Sequence, residues 1–157
     1  MRMGGKIGLV TAAGSGIGRA GAIRFAKEGA SVGVVDIDAD AVAAVVAEIE
    51  AGGGKALGIT ADLSKDEDSR RIVRNTVNHF NGLDFVWNHV GHPGPAVVEG
   101  LDMKNWDQAV DLNLRTVFIT TETVLPELRA RGGGSLLFTA SSSGLTGSMF
   151  SPVYSMA

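Results

Sequence analysis

The residues best suited to chemistry come early. After the apolar run Ile7–Thr11 the chain reads Ala12-Ala13-Gly14-Ser15-Gly16-Ile17-Gly18 and passes directly into a helical pattern. A pyrophosphate needs free backbone N–H groups, no Cβ in its path, and the partial positive charge of a helix N-terminus. Gly16 permits that approach, Gly18 lets the helix pack closely on the strand, and Gly14, Ser15 and Ile17 complete the cradle. Asp36 ends the second apolar run, 18 residues after Gly18, where an acid accepts hydrogen bonds from the adenosine ribose. Its charge repels a 2′-phosphate, and neither Ser15 nor Ile37 offsets it, so the pattern favours NAD over NADP. A glycine-rich turn without a ligand is the competing reading. The strand–turn–helix–strand–Asp setting weighs against it.

A sparser set of polar residues follows. Asn113 sits within a helical stretch, where taken alone it could equally be a tolerated polar residue or a local backbone partner. Ser141 follows the fifth apolar run, at the strand end where open α/β sheets bind ligands. Thirteen residues later comes Tyr154, the only tyrosine in the chain. A phenol can give a proton to an alcohol oxygen or take one from it, but a neighbouring cation must favour release near neutral pH. His89 and His92 have H-x-x-H spacing without an acid to complete a metal site, so no metal is expected.

These residues need a scaffold, and its pattern repeats. Short apolar runs at Ile7–Thr11, Val32–Asp36, Ala56–Thr60, Leu83–Trp87 and Ser135–Thr139 read as buried parallel strands. Ile17, Ala20, Ile23 and Ala26 share one helical face before Gly29. Asp38 caps a helix carrying Val42, Val45, Val46 and Ile49, which ends at Gly52-Gly53-Gly54. Ser64 and Glu67 form a capping box ahead of Ile72, Val73 and Val77. A long helix from about Asp102 to Leu128 carries Trp106, Val110, Asn113, Val117, Thr121 and Val124, with Pro126 expected to end or bend it. Alternating strands and helices predict a single α/β domain over residues 1–157, a Rossmann-type doubly wound parallel sheet in the order 3-2-1-4-5.

Composition narrows the functional classes. The 157 residues are 45% hydrophobic and 20% charged, with 14 basic against 17 acidic residues. No basic block neutralises phosphates, so nucleic-acid binding is not expected. Without cysteine there are no disulfides or thiolate metal sites, and no run approaches a membrane span.

The motifs together resemble the short-chain dehydrogenase/reductase family. Its opening T-G-x-x-x-G-x-G is matched by Thr11, Gly16 and Gly18, with Ala12 in place of the first glycine. Alanine serves there only if the turn keeps φ negative. The resemblance places Thr11 among the cofactor contacts and Asp62, with Leu63, beside the adenine. Asp62 read alone is also a helix cap or a solvated surface acid. The family's N-N-A-G appears as Asn88-His89-Val90-Gly91, where Asn88 and Gly91 fit a role in supporting the sheet and the nicotinamide side. The same resemblance makes Asn113, Ser141 and Tyr154 the catalytic residues. Tyr154 would move the hydroxyl proton and contact the cofactor, Ser141 would hydrogen-bond the substrate oxygen, and Asn113 would help hold a water in the proton path. It implies NAD as cofactor, a small-molecule alcohol or ketone as substrate, a cytoplasmic location, and a homo-oligomer, dimer or tetramer. The family's Y-x-x-x-K places a lysine just past Ala157, so the expectation is a shortened version of a longer enzyme.

Two other classes stay open at this stage: a catalytically silent NAD-binding protein, and a structural fragment associating through its fifth strand and apolar faces. Pro93, Gly94 and Pro95 read as a loop on the ligand side. Leu145, Met149 and Phe150 either line an apolar substrate pocket or pack against a further segment.

Overall fold

A computed structural model describes residues 1–157. Five strands, β1 (Ile7–Val10), β2 (Ser31–Asp36), β3 (Lys55–Thr60), β4 (Phe85–Asn88) and β5 (Ser135–Phe138), form one parallel sheet in the order β3-β2-β1-β4-β5. Every strand-to-strand pairing is parallel, as the predicted crossovers require. Between the strands run α1 (Gly16–Lys27), α2 (Ala39–Ala51), α3 (Asp66–Phe80), α4 (Met103–Val110), a π-helical turn at Asp111–Arg115 and α5 (Thr116–Ala130). Two short helices, α6 (Ser143–Thr146) and α7 (Pro152–Met156), follow β5.

The sheet is buried on both faces, and strand alternation divides its side chains into two cores. Val10, Val32, Val34 and Phe85 meet Ala22, Ile23 and Ala26 of α1 and Val45 and Ile49 of α2. Leu9, Val35, Ile59 and Val86 meet Ile72 and Val73 of α3 and Val124 and Leu128 of α5. The outer strand β5 lacks such cover, with Leu137 and Phe138 exposed.

Local chemistry explains most boundaries and corrects several expectations. Asp38 caps α2, accepting from the N–H groups of Asp40 and Ala41. The predicted Ser64–Glu67 capping box does not form. Helix α3 begins one turn-position later, with Lys65 at its N-cap, and the Ser64 hydroxyl is drawn to Asp62 Oδ1 at 2.7 Å. The buried face of α1 is Gly18, Ala22, Ile23 and Ala26, while Ile17 and Ala20 are exposed because the helix starts at the glycine turn and its first residues stand above the sheet.

The predicted long helix is interrupted. At Asp111–Arg115 the backbone widens, with Thr116 N bonding Asp111 O in an i→i+5 step. That extra residue turns the helix face. Ala109, Thr116, Ile119, Thr120 and Val124 are buried, while Trp106, Val110, Asn113, Val117 and Thr121 remain half-buried along the open side. Pro126 does not end α5, which continues to Ala130.

Candidate active site

The glycine turn is built by strain and close contact. Ala12 adopts φ +51°, in the left-handed region, which overturns the expectation of a negative φ. Alanine is therefore held where glycine is favoured. Gly16 has φ +53° with open space around it. A Cβ at Gly18 would stand 2.0 Å from Ala12 O, so only glycine lets α1 approach the turn this closely. The first hydrogen bond of α1 runs from Arg19 N to Ser15 O, leaving the N–H groups of Gly16, Ile17 and Gly18 without helical acceptors. Ser15, the N-cap, makes no side-chain capping bond.

Gly14 and Thr11 do different work. Gly14 N donates to Asp36 Oδ2 at 2.9 Å, so that donor is committed to the acid. Asp36 Oδ1 accepts from Ile37 N and Asp38 N, which leaves the carboxylate partly exposed at the end of β2. Thr11 is fully buried. Its hydroxyl oxygen accepts from His89 N at 2.9 Å and Val90 N at 3.0 Å, tying the end of β1 to the loop after β4. Thr11 therefore acts on a bound ligand only by positioning that loop.

Two clefts open along the carboxyl edge of the sheet. One, about 320 Å³, is lined by Ala12, Ser15, Asp36, Asp62 and Leu63 among others. The other, about 350 Å³, is lined by Asn88, His89, Asn113, Ser141 and Tyr154 among others. Val90 and Gly91 line both, so one wall is shared. Asp62 is held by the Ser64 hydroxyl, which keeps its carboxyl below the usual carboxylate range. Lys65 stands 3.3 Å from its other oxygen.

The second cleft gathers the three residues expected to be catalytic. Asn113 lies in the π-helical turn. Its Nδ2 donates to His92 O at 2.8 Å and its Oδ1 accepts from His92 N at 2.9 Å, a two-point clamp on the loop after β4. A Cβ on Gly91 would lie 2.9 Å from Asn113 Oδ1, so the glycine leaves room for the clamp. Ser141 follows β5 and accepts from Ser143 N at 3.2 Å. Tyr154 rides on α7, next to Val153, which is buried and packs near Gly94. Ser155 Oγ accepts from Ser148 N and donates to Ser151 O, anchoring α7 to the preceding turn. Asn88 is buried, and its Nδ2 has no acceptor within the chain. Leu145, Met149 and Phe150 are not part of this lining and stand exposed.

Three contributors escape a reading of the sequence. Thr139 joins Trp87 and His89 through one hydroxyl. Asp84, buried at the opposite edge of the sheet, accepts from Ile7 N, Arg131 and Lys6. The π-helical turn sets the height of Asn113. None carries a motif; a lone carboxylate ahead of the apolar run Phe85–Asn88 is the only hint of Asp84.

A glycine turn at a helix N-terminus, an acid closing the second strand, and Asn, Ser and Tyr around one cleft meet at the carboxyl edge of a doubly wound parallel sheet, where α/β folds of this class bind ligands. Residues 6–157 match the family model for short chain dehydrogenases, and the chain belongs to that family. It is 39% identical over 143 residues to a cyclohexanol dehydrogenase of Acinetobacter sp. (strain SE19), covering 90% of this chain and 57% of that protein. It is 35% identical over 137 residues to the 7alpha-hydroxysteroid dehydrogenase of Escherichia coli (strain K12), covering 87% of this chain and 53% of that protein. Among solved structures, a 7 alpha-hydroxysteroid dehydrogenase complexed with NADH and 7-oxo glycochenodeoxycholic acid superposes with a TM-score of 0.94 at 32% identity, over 99% of this chain and 60% of that one. An NAD+-bound xylitol dehydrogenase superposes with a TM-score of 0.93 at 27% identity, over 99% of this chain and 60% of that one. The chain thus spans little more than half the length of these relatives.

Proposed function

We propose that the chain carries the cofactor half and the Asn–Ser–Tyr constellation of an NAD(H)-dependent oxidoreductase that interconverts a secondary alcohol and a carbonyl. The observation that carries this reading is the shared Val90–Gly91 wall, which joins the Asp36 cleft to the Tyr154 cleft. An extended dinucleotide fits that arrangement, with its adenosine end beside Asp36 and Asp62 and its pyrophosphate over Gly16, Ile17 and Gly18. The unpartnered Asn88 Nδ2 and the open space above Gly16 support the fit. The nicotinamide, when bound, supplies the hydride acceptor or donor.

The residues of the chain do the rest. Tyr154 Oη exchanges the hydroxyl proton of the substrate, as acid or base according to direction. Ser141 Oγ orients the substrate oxygen. Asn113 spends one donor and one acceptor on His92, which leaves one N–H and one lone pair for a water in the proton path. Preference for NAD over NADP is supported by the lining of the first cleft, which holds two carboxylates, Asp36 and Asp62, and no lysine or arginine. Alcohol as substrate class is supported by the cyclohexanol and hydroxysteroid dehydrogenases among the relatives. Exposed Leu114 of the π-helical turn and Phe118 of α5 support self-association.

The test is Tyr154→Phe, assayed for NAD+ binding and for oxidation of cyclohexanol. The reading expects turnover to fall by at least about a hundredfold with NAD+ affinity nearly unchanged. Turnover retained in that variant contradicts it.

A further inference from the structure

His89 stands where the glycine turn meets the polar cleft, and the hydride-transfer reading leaves it without a task. Its surroundings are specific. Trp87 Nε1 and His89 Nδ1 converge on Thr139 Oγ1 at 2.9 and 2.8 Å. An indole N–H only donates, so Thr139 Oγ1 receives it; that oxygen keeps a second lone pair and its own hydrogen, so it can donate to His89 Nδ1 or accept from it. As imidazolium the ring carries a hydrogen on Nε2 whichever way that bond runs, and as neutral imidazole it does so when Thr139 donates. Burial favours this neutral form and pushes His89 below the usual histidine range. The Trp87 ring, 4.8 Å away, holds the imidazole in orientation.

Nε2 itself makes no hydrogen bond within the chain, since the side-chain bond of His89 is the one from Nδ1. The adjoining Cδ2 lies against α1, 3.0 Å from where a Cβ on Gly18 would stand. His89 thus turns its uncommitted Nε2 edge toward Gly18, in the first turn of α1.

We propose that His89 is an additional contact for the phosphate groups of the bound dinucleotide, donating through Nε2 and becoming imidazolium as the anion binds. The proton comes from solvent, and in the imidazolium Nδ1 donates to Thr139 Oγ1 while Nε2 is left for the anion. The inference rests on the dinucleotide reading above. The other cations near this end are paired: Lys65 stands 3.3 Å from Asp62 Oδ2. Arg19 of α1 is paired with Glu48 of α2. The ends of β1 and β5 carry no ionisable group, and His92 is tied to Gly94 N through its own Nδ1. Tyr154 lines the same cleft, while Asp36 and Asp62 line the neighbouring one.

Calorimetric titration of the 157-residue chain with NAD+, in two buffers of different ionisation enthalpy near about pH 6.5, reads both affinity and proton uptake. The unchanged chain should take up a fraction of a proton on binding. His89→Asn should bind about three- to tenfold more weakly and take up none, a difference that a purely structural role would not produce. Thr139→Val, altered at an exposed strand end, removes the partner of Nδ1, so it should shift the His89 Nδ1 resonance in 15N NMR and bind NAD+ more weakly by a smaller factor. Equal affinity and uptake in His89→Asn overturn the inference, as does binding by the unchanged chain without proton uptake. Were His89→Asn to lose its fold, an unaltered NAD+ affinity in Thr139→Val would overturn it. Failure of the unchanged chain to bind NAD+ overturns the dinucleotide reading, and this inference with it.

Discussion

Gly14 and Asp36 are locked together: Gly14 N donates to Asp36 Oδ2 at 2.9 Å, and a Cβ at Gly14 would stand 2.9 Å from the same oxygen. The glycine turn therefore aims the acid. Gly14→Ala should displace the Asp36 carboxylate and weaken NAD+ binding by about tenfold, with a stability loss of about 1–2 kcal/mol from the crowded contact. Paired titration calorimetry and urea unfolding check both effects. Unchanged affinity would show that the acid is held by Ile37 and Asp38 alone.

Ala12 offers the opposite experiment. It holds φ +51°, a conformation that L-residues other than Asn and Asp rarely occupy. Ala12→Gly relieves that strain but enlarges the freedom of the unfolded chain, so a net gain of about 0.5–1 kcal/mol is expected. In thermal unfolding this should raise Tm by about 2–4 °C.

Gly18 and Gly16 separate space from backbone strain. Gly18→Ala sets a Cβ 2.0 Å from Ala12 O, a backbone atom that cannot step aside cheaply. The variant should lose more than about 2 kcal/mol and its NAD+ affinity together. Gly16 has φ +53° and open space around it, so Gly16→Ala should cost only about 1–2 kcal/mol of strain while placing a methyl group in the path of a pyrophosphate. The signature is a binding loss out of proportion to the stability loss at Gly16, read from the same two measurements.

Asp84 governs acid stability at the far edge of the sheet. Burial opposes its charge, yet Arg131, the N–H of Ile7 and Lys6 outweigh burial and hold the carboxyl below the usual carboxylate range. A carboxyl depressed in the folded state lends stability above its unfolded value of about 3.9, and that stability is lost as pH falls through the folded value. Asp84→Ala removes this dependence and leaves Ile7 N without a partner, at a cost of about 2 kcal/mol near neutral pH. Urea unfolding from pH 7 downward should show the two curves converging in acid.

The scaffold was legible because buried parallel strands are short apolar runs, and the five runs fall within two residues of β1–β5. The acid at the end of β2 was legible because its position depends on spacing alone. Less could be read where tertiary contacts decide. Nothing in Asp111-Leu112-Asn113 announces a π-helical turn, since a widened backbone preserves the residue types of an ordinary helix. Ala12 was read as needing a negative φ because alanine prefers one, and the packing of Gly18 against Ala12 O overrides that preference. Thr11 carries the family's motif, yet its burial between β1 and the β4 loop is visible only once His89 N and Val90 N are seen to converge on it. Ser64 has the right spacing for a capping box, but its hydroxyl donates to Asp62 Oδ1 and α3 starts after Lys65, so it does not cap the first turn.

The most direct measurement is a parallel titration of the chain with NAD+ and NADP+. The arrangement of Gly16, Gly18 and Asp36 predicts saturable NAD+ binding at least about tenfold tighter than NADP+, because two carboxylates line the Asp36 cleft and Lys65, the cation beside it, is paired with Asp62. Equal or tighter binding of NADP+, or no saturable binding of either, would contradict the account.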